Sequence, residues 1–243
     1  MSTLQNSPPL LHRVAVITGA SRGIGRALVE RFAEAGFDLA LCARSPEGLA
    51  GEEIAERWRI RVLASRCDVR DEGSVGEFFQ TIRQHFGVID ILINNAGIAT
   101  PSAKVAQVPL AEWRDVIDTN LTGTFLCTQA ALPLMRRGGT IVNNLSVAAK
   151  GAFAGQSPYV TAKHGARGFT NTLRMELREC GIRVLALYPG ATTTDIWNQS
   201  WPDAPRERMI SPDTVALAVL HAVMLPENAS VEELLIGPTG GAL

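Results

Sequence analysis

Val14-Ala-Val-Ile-Thr18-Gly19-Ala20-Ser21-Arg22-Gly23-Ile24-Gly25-Arg-Ala-Leu28-Val29-Glu-Arg-Phe32 is the stretch whose reading decides the fold. It opens with a β-branched run, turns through three glycines, and continues with apolar residues at helical spacing that stop before Gly36. Strand, tight turn and helix in that order make the first half of a βαβ unit. Glycines in such a turn let the backbone approach a pyrophosphate, which then sits on the unpaired N–H groups and positive end of the helix. The spacing, T-G-x-x-x-G-x-G, departs from the G-x-G-x-x-G fingerprint, and an ordinary glycine-lined turn packing helix on sheet is the competing reading. The correct flanking elements favour cofactor binding at Gly19, Ser21, Arg22, Gly23, Ile24 and Gly25.

Outward from this unit, apolar runs recur at 38–42, 61–67, 89–93, 140–145, 182–188 and 234–236, separated by helical segments. Runs too continuously apolar to face water on one side imply a mainly parallel sheet with helices on both faces. The expected fold is an α/β, doubly wound, Rossmann-type domain with seven strands. Residues 1–12 read as a flexible tail and 13–243 as one domain. Within it, 190–211, with Trp197, Trp201, Pro202 and Pro205, reads as a substrate loop.

Composition narrows the class. A chain of 243 residues, 46% hydrophobic and 19% charged, with net charge −1, has a size at which one α/β domain is the economical solution. Interleaved charges leave no footprint for nucleic acid. Cys42, Cys67, Cys127 and Cys180 lack the spacing of a zinc site or redox dithiol, and His12, His85, His164 and His221 are scattered, so no metal is expected. No apolar stretch is long enough to span a bilayer and the amino terminus lacks a secretion signal, which points to a cytoplasmic protein.

Cofactor choice turns on the end of the second strand. An NAD site usually places an acid there, about 20 residues beyond the glycines. Here Arg44 occupies that place and Arg22 lies inside the turn, and two guanidiniums suit a 2′-phosphate, so NADP is expected. Each arginine alone could be a solvated surface charge. Asp68, followed by Val69, is placed to accept from an adenine amino group or to cap the helix starting near Asp71.

Tyr159 and Lys163 are four residues apart in a helical segment, 157–179, so both project from one face and an ammonium can lower a phenol's pKa. Ser146 follows the 140–145 strand, at the carboxyl edge where open α/β sheets bind ligands. With the glycine turn, Asn94-Asn95-Ala96-Gly97, and Asn120 in Asp118-Thr119-Asn120-Leu121-Thr122-Gly123, the chain resembles the short-chain dehydrogenase/reductase family from Arg13 to about Ile236.

The resemblance implies that Tyr159 donates a proton to a carbonyl oxygen as hydride arrives, and that Ser146 bonds that oxygen. It implies that Lys163 holds the nicotinamide ribose and depresses the tyrosine pKa, and that Asn120 kinks its helix and positions a water. It further implies that Asn94, Asn95, Ala96 and Gly97 floor the adenine ribose, and that Pro189, Gly190, Thr192 and Thr194 flank the nicotinamide and pyrophosphate. Substrate contacts are expected from Ala148, Phe153, Gln156, Tyr188, Ile196 and Trp197, while Trp58 and Trp113 should pack on helices. The expected activity is NADP(H)-dependent hydride exchange with a small ketone, aldehyde or secondary alcohol, by a homo-oligomer, dimer or tetramer. The alternatives are a 3-oxoacyl thioester reductase, for which Arg136 and Arg137 could serve the carrier, and a non-catalytic NADP-binding regulator.

Overall fold

The computed structural model describes residues 13–241, so the expected amino-terminal tail lies outside the described residues. Seven strands form one parallel sheet: β1 Val14–Thr18, β2 Asp38–Ala43, β3 Val62–Arg66, β4 Ile89–Asn94, β5 Met135–Asn144, β6 Arg183–Pro189 and β7 Glu233–Ile236. Their order is β3-β2-β1-β4-β5-β6-β7, and every neighbouring pair is parallel. The direction of winding reverses between β1 and β4, which opens a crevice above their carboxyl ends.

Strand alternation assigns the two faces. Ala15, Ile17, Leu39, Leu41, Ile91 and Ile93 point into a core shared with α1 Gly23–Glu34, α2 Gly51–Trp58 and α8 Pro212–Val223, where Phe32, Ile54 and Val219 are buried. Val16, Ala40, Cys42, Leu92 and Ile141 point the other way, against α3 Glu72–His85, α5 Gly123–Ala131 and α6 Ser157–Leu177. Each fully buried Leu, Ile or Phe of these layers contributes about 1.5–3 kcal/mol of transfer free energy. Helices on both faces are therefore what lets all six residues of β2 and of β4 be buried.

The sequence places the seven strands correctly, but β5 begins five residues earlier than its β-branched run. Met135 pairs with Ile89, and a register break between Ile89 and Ile91 is taken up opposite Arg136 to Gly139, where Gly138 has φ +84°. Polar residues and glycines hid this start of the strand. On the other side of β4, α4 Leu110–Ile117 runs into a π-helical turn, Asp118–Thr122, before α5. The 190–211 segment is less irregular than its composition suggests. It holds a short helix, α7 Trp197–Ser200, and a bridge between Thr192 and Ile210.

Candidate active site

The glycine turn closes on itself so tightly that side chains are excluded. A Cβ on Gly25 would lie 2.1 Å from Gly19 O and 2.5 Å from Asn95 Nδ2, and one on Gly19, at φ +63°, would lie 2.8 Å from Ala96 Cα. Thr18 and Asn95 stitch this turn to the loop after β4: Asn95 N and Ala96 N donate to Thr18 Oγ1, and Asn95 Nδ2 donates to Thr18 O and Gly19 O. The helix that follows, α1, has no side-chain cap and no acid in its first turn, so its N–H groups and dipole face the cleft uncompensated.

That cleft, about 1060 Å³, runs along the carboxyl ends of β1, β2, β4, β5 and β6. One end is formed by Arg22, Arg44, Ser45, Asp68 and Val69. Arg22 and Arg44 are exposed and their side chains make no hydrogen bond or ion pair among the described residues, leaving two guanidiniums available to an anion. Asp68 is neither a free acceptor nor the cap of α3. Arg70 donates to it from Nη2 (2.6 Å) and Nε and holds its carboxyl below the usual range, while Asp71 caps α3 by accepting from Ser74 N. These features fit a dinucleotide with a 2′-phosphate: a side-chain-free turn, an uncapped helix end, and free cations where an NAD site would hold an acid.

At the other end Ser146, Tyr159 and Lys163 come together. Ser146 starts a 3-10 turn, 147–149, where its Oγ accepts from Ala148 N. The same serine acts on the Tyr159 phenol, holding its pKa down. One turn along α6, Lys163 is buried. Its Nζ donates to Asn144 O at 2.7 Å and stands 5.6 Å from the Tyr159 ring centre.

Burial pushes the Tyr159 phenol up, with Ser146 opposing, and the same burial pushes Lys163 down to about 8.

Asn120 lies in the π turn, buried, with Oδ1 accepting from Ile98 N and Nδ2 donating to Ile98 O, both at 2.8 Å. The helix irregularity expected around it is this π turn, and both ends of its amide serve the Ile98 backbone. Asn94, expected at the adenine ribose, instead lies in the core. Its Nδ2 donates to Thr128 Oγ1 and Asn143 Oδ1, and Asn143 reaches Thr170. Its neighbours Asn95, Ala96 and Gly97 do line the cleft, because alternation along β4 turns Asn94 away. Pro189, Gly190, Thr192 and Thr194 line it too, Gly190 being tied to β7 through Ile236 O.

Of the expected substrate residues, Ala148, Phe153, Gln156, Ile196 and Trp197 line the cleft. Tyr188 does not. It is fully buried against Leu145, Ala149 and Ala166, its hydroxyl donates to Glu233 Oε1, and Lys150 lies over its ring. Arg136 and Arg137 are also misplaced for a role at the site: they begin β5, about 30 Å of strand from Asn144. There Arg136 pairs with Asp90 and Arg137 donates to Glu179 O.

Residues not foreseen include Asn144, Ile98 and Ser102. Asn144 had a readable signal, since it sits at the strand end just before Ser146. Ile98 and Ser102 had none, being loop positions set by tertiary packing, whereas Trp201, Asp195 and Arg206 fall within the expected 190–211 loop. Trp58 packs against the α1 and α2 core. Among the described residues His85, His164 and His221 do not line the cleft, His164 facing Val160 O, and His12 lies outside the described residues. Among the described residues no cluster of three or more His, Cys, Asp or Glu is placed to hold a metal, and no helix is long and apolar enough to cross a membrane.

Comparison with known proteins gives the same picture. The family model described as short chain dehydrogenase matches residues 13–205. Sepiapterin reductase of Chlorobaculum tepidum is 33% identical over 241 residues, covering 95% of this chain and 98% of that protein. The 3-oxoacyl-(acyl-carrier-protein) reductase of Aquifex aeolicus is 37% identical over 220 residues, covering 86% and 88%. The solved structure of an alcohol dehydrogenase from Thermococcus sibiricus, complexed with 5-hydroxy-NADP, superposes with a TM-score of 0.89 at 31% identity, covering 96% and 99%.

Proposed function

Since the chain belongs to the short-chain dehydrogenase family, we propose that it is an NADP(H)-dependent oxidoreductase that interconverts a small ketone or aldehyde with its alcohol, working as a reductase. The observation that carries this reading is the convergence of Ser146, Tyr159 and Lys163 at one end of a cleft whose other end holds the glycine turn and the unpaired Arg22 and Arg44.

NADPH, when bound, supplies the hydride. Gly19, Ser21, Gly23, Ile24 and Gly25 hold the pyrophosphate on the amino end of α1, and Arg22 and Arg44 bind the 2′-phosphate. Val69, Asn95, Ala96 and Gly97 enclose the adenosine, while Pro189, Gly190, Thr192 and Thr194 close the nicotinamide end.

Tyr159 and Ser146 share the substrate's carbonyl oxygen. A phenol raised by burial stays protonated at neutral pH, which is the form a reduction consumes. Ser146 donates to the oxygen as negative charge develops there. Lys163, fixed by Asn144 O, holds the ribose and returns a proton toward Tyr159, and Asn120 secures the Ile98 loop beneath them. A regulator that only binds NADP has no physical need for such a serine, phenol and ammonium together.

One domain from 13 to 243 carries this chemistry, with 190–211 as the substrate loop, in a cytoplasmic homo-oligomer, dimer or tetramer. The buried free thiols of Cys42, Cys67 and Cys127 suit a reducing compartment. A 3-oxoacyl thioester reductase is the second reading, favoured by the likeness to the Aquifex protein. The test follows NADPH and NADH oxidation at the nicotinamide absorbance with ketones, diketones, aldehydes and 3-oxoacyl thioesters. The proposal expects NADPH-dependent turnover of free carbonyls. Turnover with thioesters alone would support the second reading, and tight NADPH binding without any turnover would support the regulator.

A further inference from the structure

The cleft changes chemical character along its length. The cations that line it, among the described residues, are Arg22, Arg44 and Lys163. The two arginines stand at the far end, and the lysine is buried with Asn144 O as its acceptor. Beyond Tyr159 the walls, Phe153, Gln156, Ile196, Trp197 and Trp201 among them, are aromatic, aliphatic or neutral, while the exposed Asp195 shares its surroundings with Arg22, Gly23 and Thr194 near the glycine turn.

Two large rings stand open to the cleft. Phe153, on the connection into α6, and Trp201, at the end of α7, are each 44% exposed although both line the cleft. Neither wall is a loose loop. Trp197 Nε1 donates to Thr192 O at 2.8 Å and its ring meets Trp201 edge-on at 6.3 Å. Arg206, from behind the loop, donates to Thr194 O and Asn198 Oδ1, so its guanidinium is committed to holding α7. On the Phe153 side, Ala103 N donates to Gly155 O and Gln156 Nε2 to Thr100 O.

Recognition of a carboxylate, sulfonate or phosphate calls for an arginine or lysine within hydrogen-bond reach. Among the described residues this end offers none. Flat apolar bodies, in contrast, gain stacking and burial against preset rings.

Resting on the oxidoreductase reading, we propose that the substrate is an uncharged carbonyl compound with a planar, aromatic body, held against Phe153 and Trp201 at an end of the cleft that offers no free cation to an anion. Methyl phenylglyoxylate and phenylglyoxylate share ring and ketone and differ in one negative charge, and ethyl pyruvate keeps the neutral keto ester without the ring.

The experiment measures kcat and KM for all three with NADPH, together with quenching of tryptophan fluorescence by each compound in the presence of NADP. The expected kcat/KM is about 100-fold higher for the aromatic ester than for its acid, since an unpaired charge is costly to desolvate. Trp201→Ala should raise KM for the aromatic ester about tenfold with kcat nearly unchanged, and should leave ethyl pyruvate nearly unaffected.

Equal use of acid and ester, or a Trp201→Ala loss shared equally with ethyl pyruvate, would overturn the inference while leaving the oxidoreductase reading standing. No turnover of any of the three despite bound NADPH, with no quenching, would overturn both.

Discussion

Burial at single residues sets the chemistry of the site. Lys163 is an ammonium enclosed by protein, and its folded pKa of about 8 lies below the 10.5 it has when exposed. The unfolded chain therefore holds a proton that the folded chain sheds between these values. Stability contributed by this group rises with pH across that window and is reduced below it, by on the order of 3 kcal/mol. Lys163→Met should accordingly raise the thermal midpoint of the cofactor-free protein at pH 7 while abolishing turnover. Melting curves should show the gap closing toward pH 10, whereas a variant less stable than wild type at pH 7 would show that the bond to Asn144 outweighs the desolvation. Arg44 acts by charge alone. Arg44→Asp should lower NADPH preference over NADH by about 10- to 100-fold, read as the ratio of kcat/KM values, and an unchanged ratio would place the 2′-phosphate elsewhere.

At the scale of elements, the site is held by junctions rather than by helices or strands themselves. The π turn 118–122 exists beside a loop whose Ile98 N and O both use Asn120. Asn120→Ala leaves two partly buried backbone groups unpaired and should cost about 2–4 kcal/mol in urea unfolding, with activity falling as the Ile98 loop loosens. A cost within 0.5 kcal/mol, on the scale of a neutral surface change, would mean that the π turn stands without it. Junctions are also where sequence and structure part. All seven strands were legible, because continuous β-branched runs have few other uses, and so was α1 with its glycine stop. Ser146, Tyr159 and Lys163 were legible as residue types at the right strand end and helical spacing. Their electrostatics were not, since which carbonyl meets Lys163 depends on where β5 ends in space. Asn94 and Tyr188 were misplaced because period-two alternation sends neighbours to opposite faces, and a shift of one residue reverses the assignment. Ile98 and Ser102 left no trace in spacing, being brought to the cleft by loops.

For the whole molecule, the two edges of the sheet carry different work. The amino edge is tied by charged groups: Asp90 accepts from Val14 N and from Arg136, and Asp38 accepts from Arg61 N and its guanidinium. The carboxyl edge holds the cleft. Arg136→Ala should thus cost about 1 kcal/mol of stability, its guanidinium being largely exposed, and leave kcat/KM for every carbonyl unchanged. A selective loss with thioesters would instead tie the amino edge to a carrier. The claim on which the rest depends is that one phenol at the carboxyl edge donates the proton of an NADPH-dependent reduction. Its most direct measurement is NADPH titration and carbonyl turnover side by side for wild type and Tyr159→Phe. The account predicts equal NADPH affinity and a loss of turnover of about a thousandfold or more. Turnover of the variant within tenfold of wild type would contradict it.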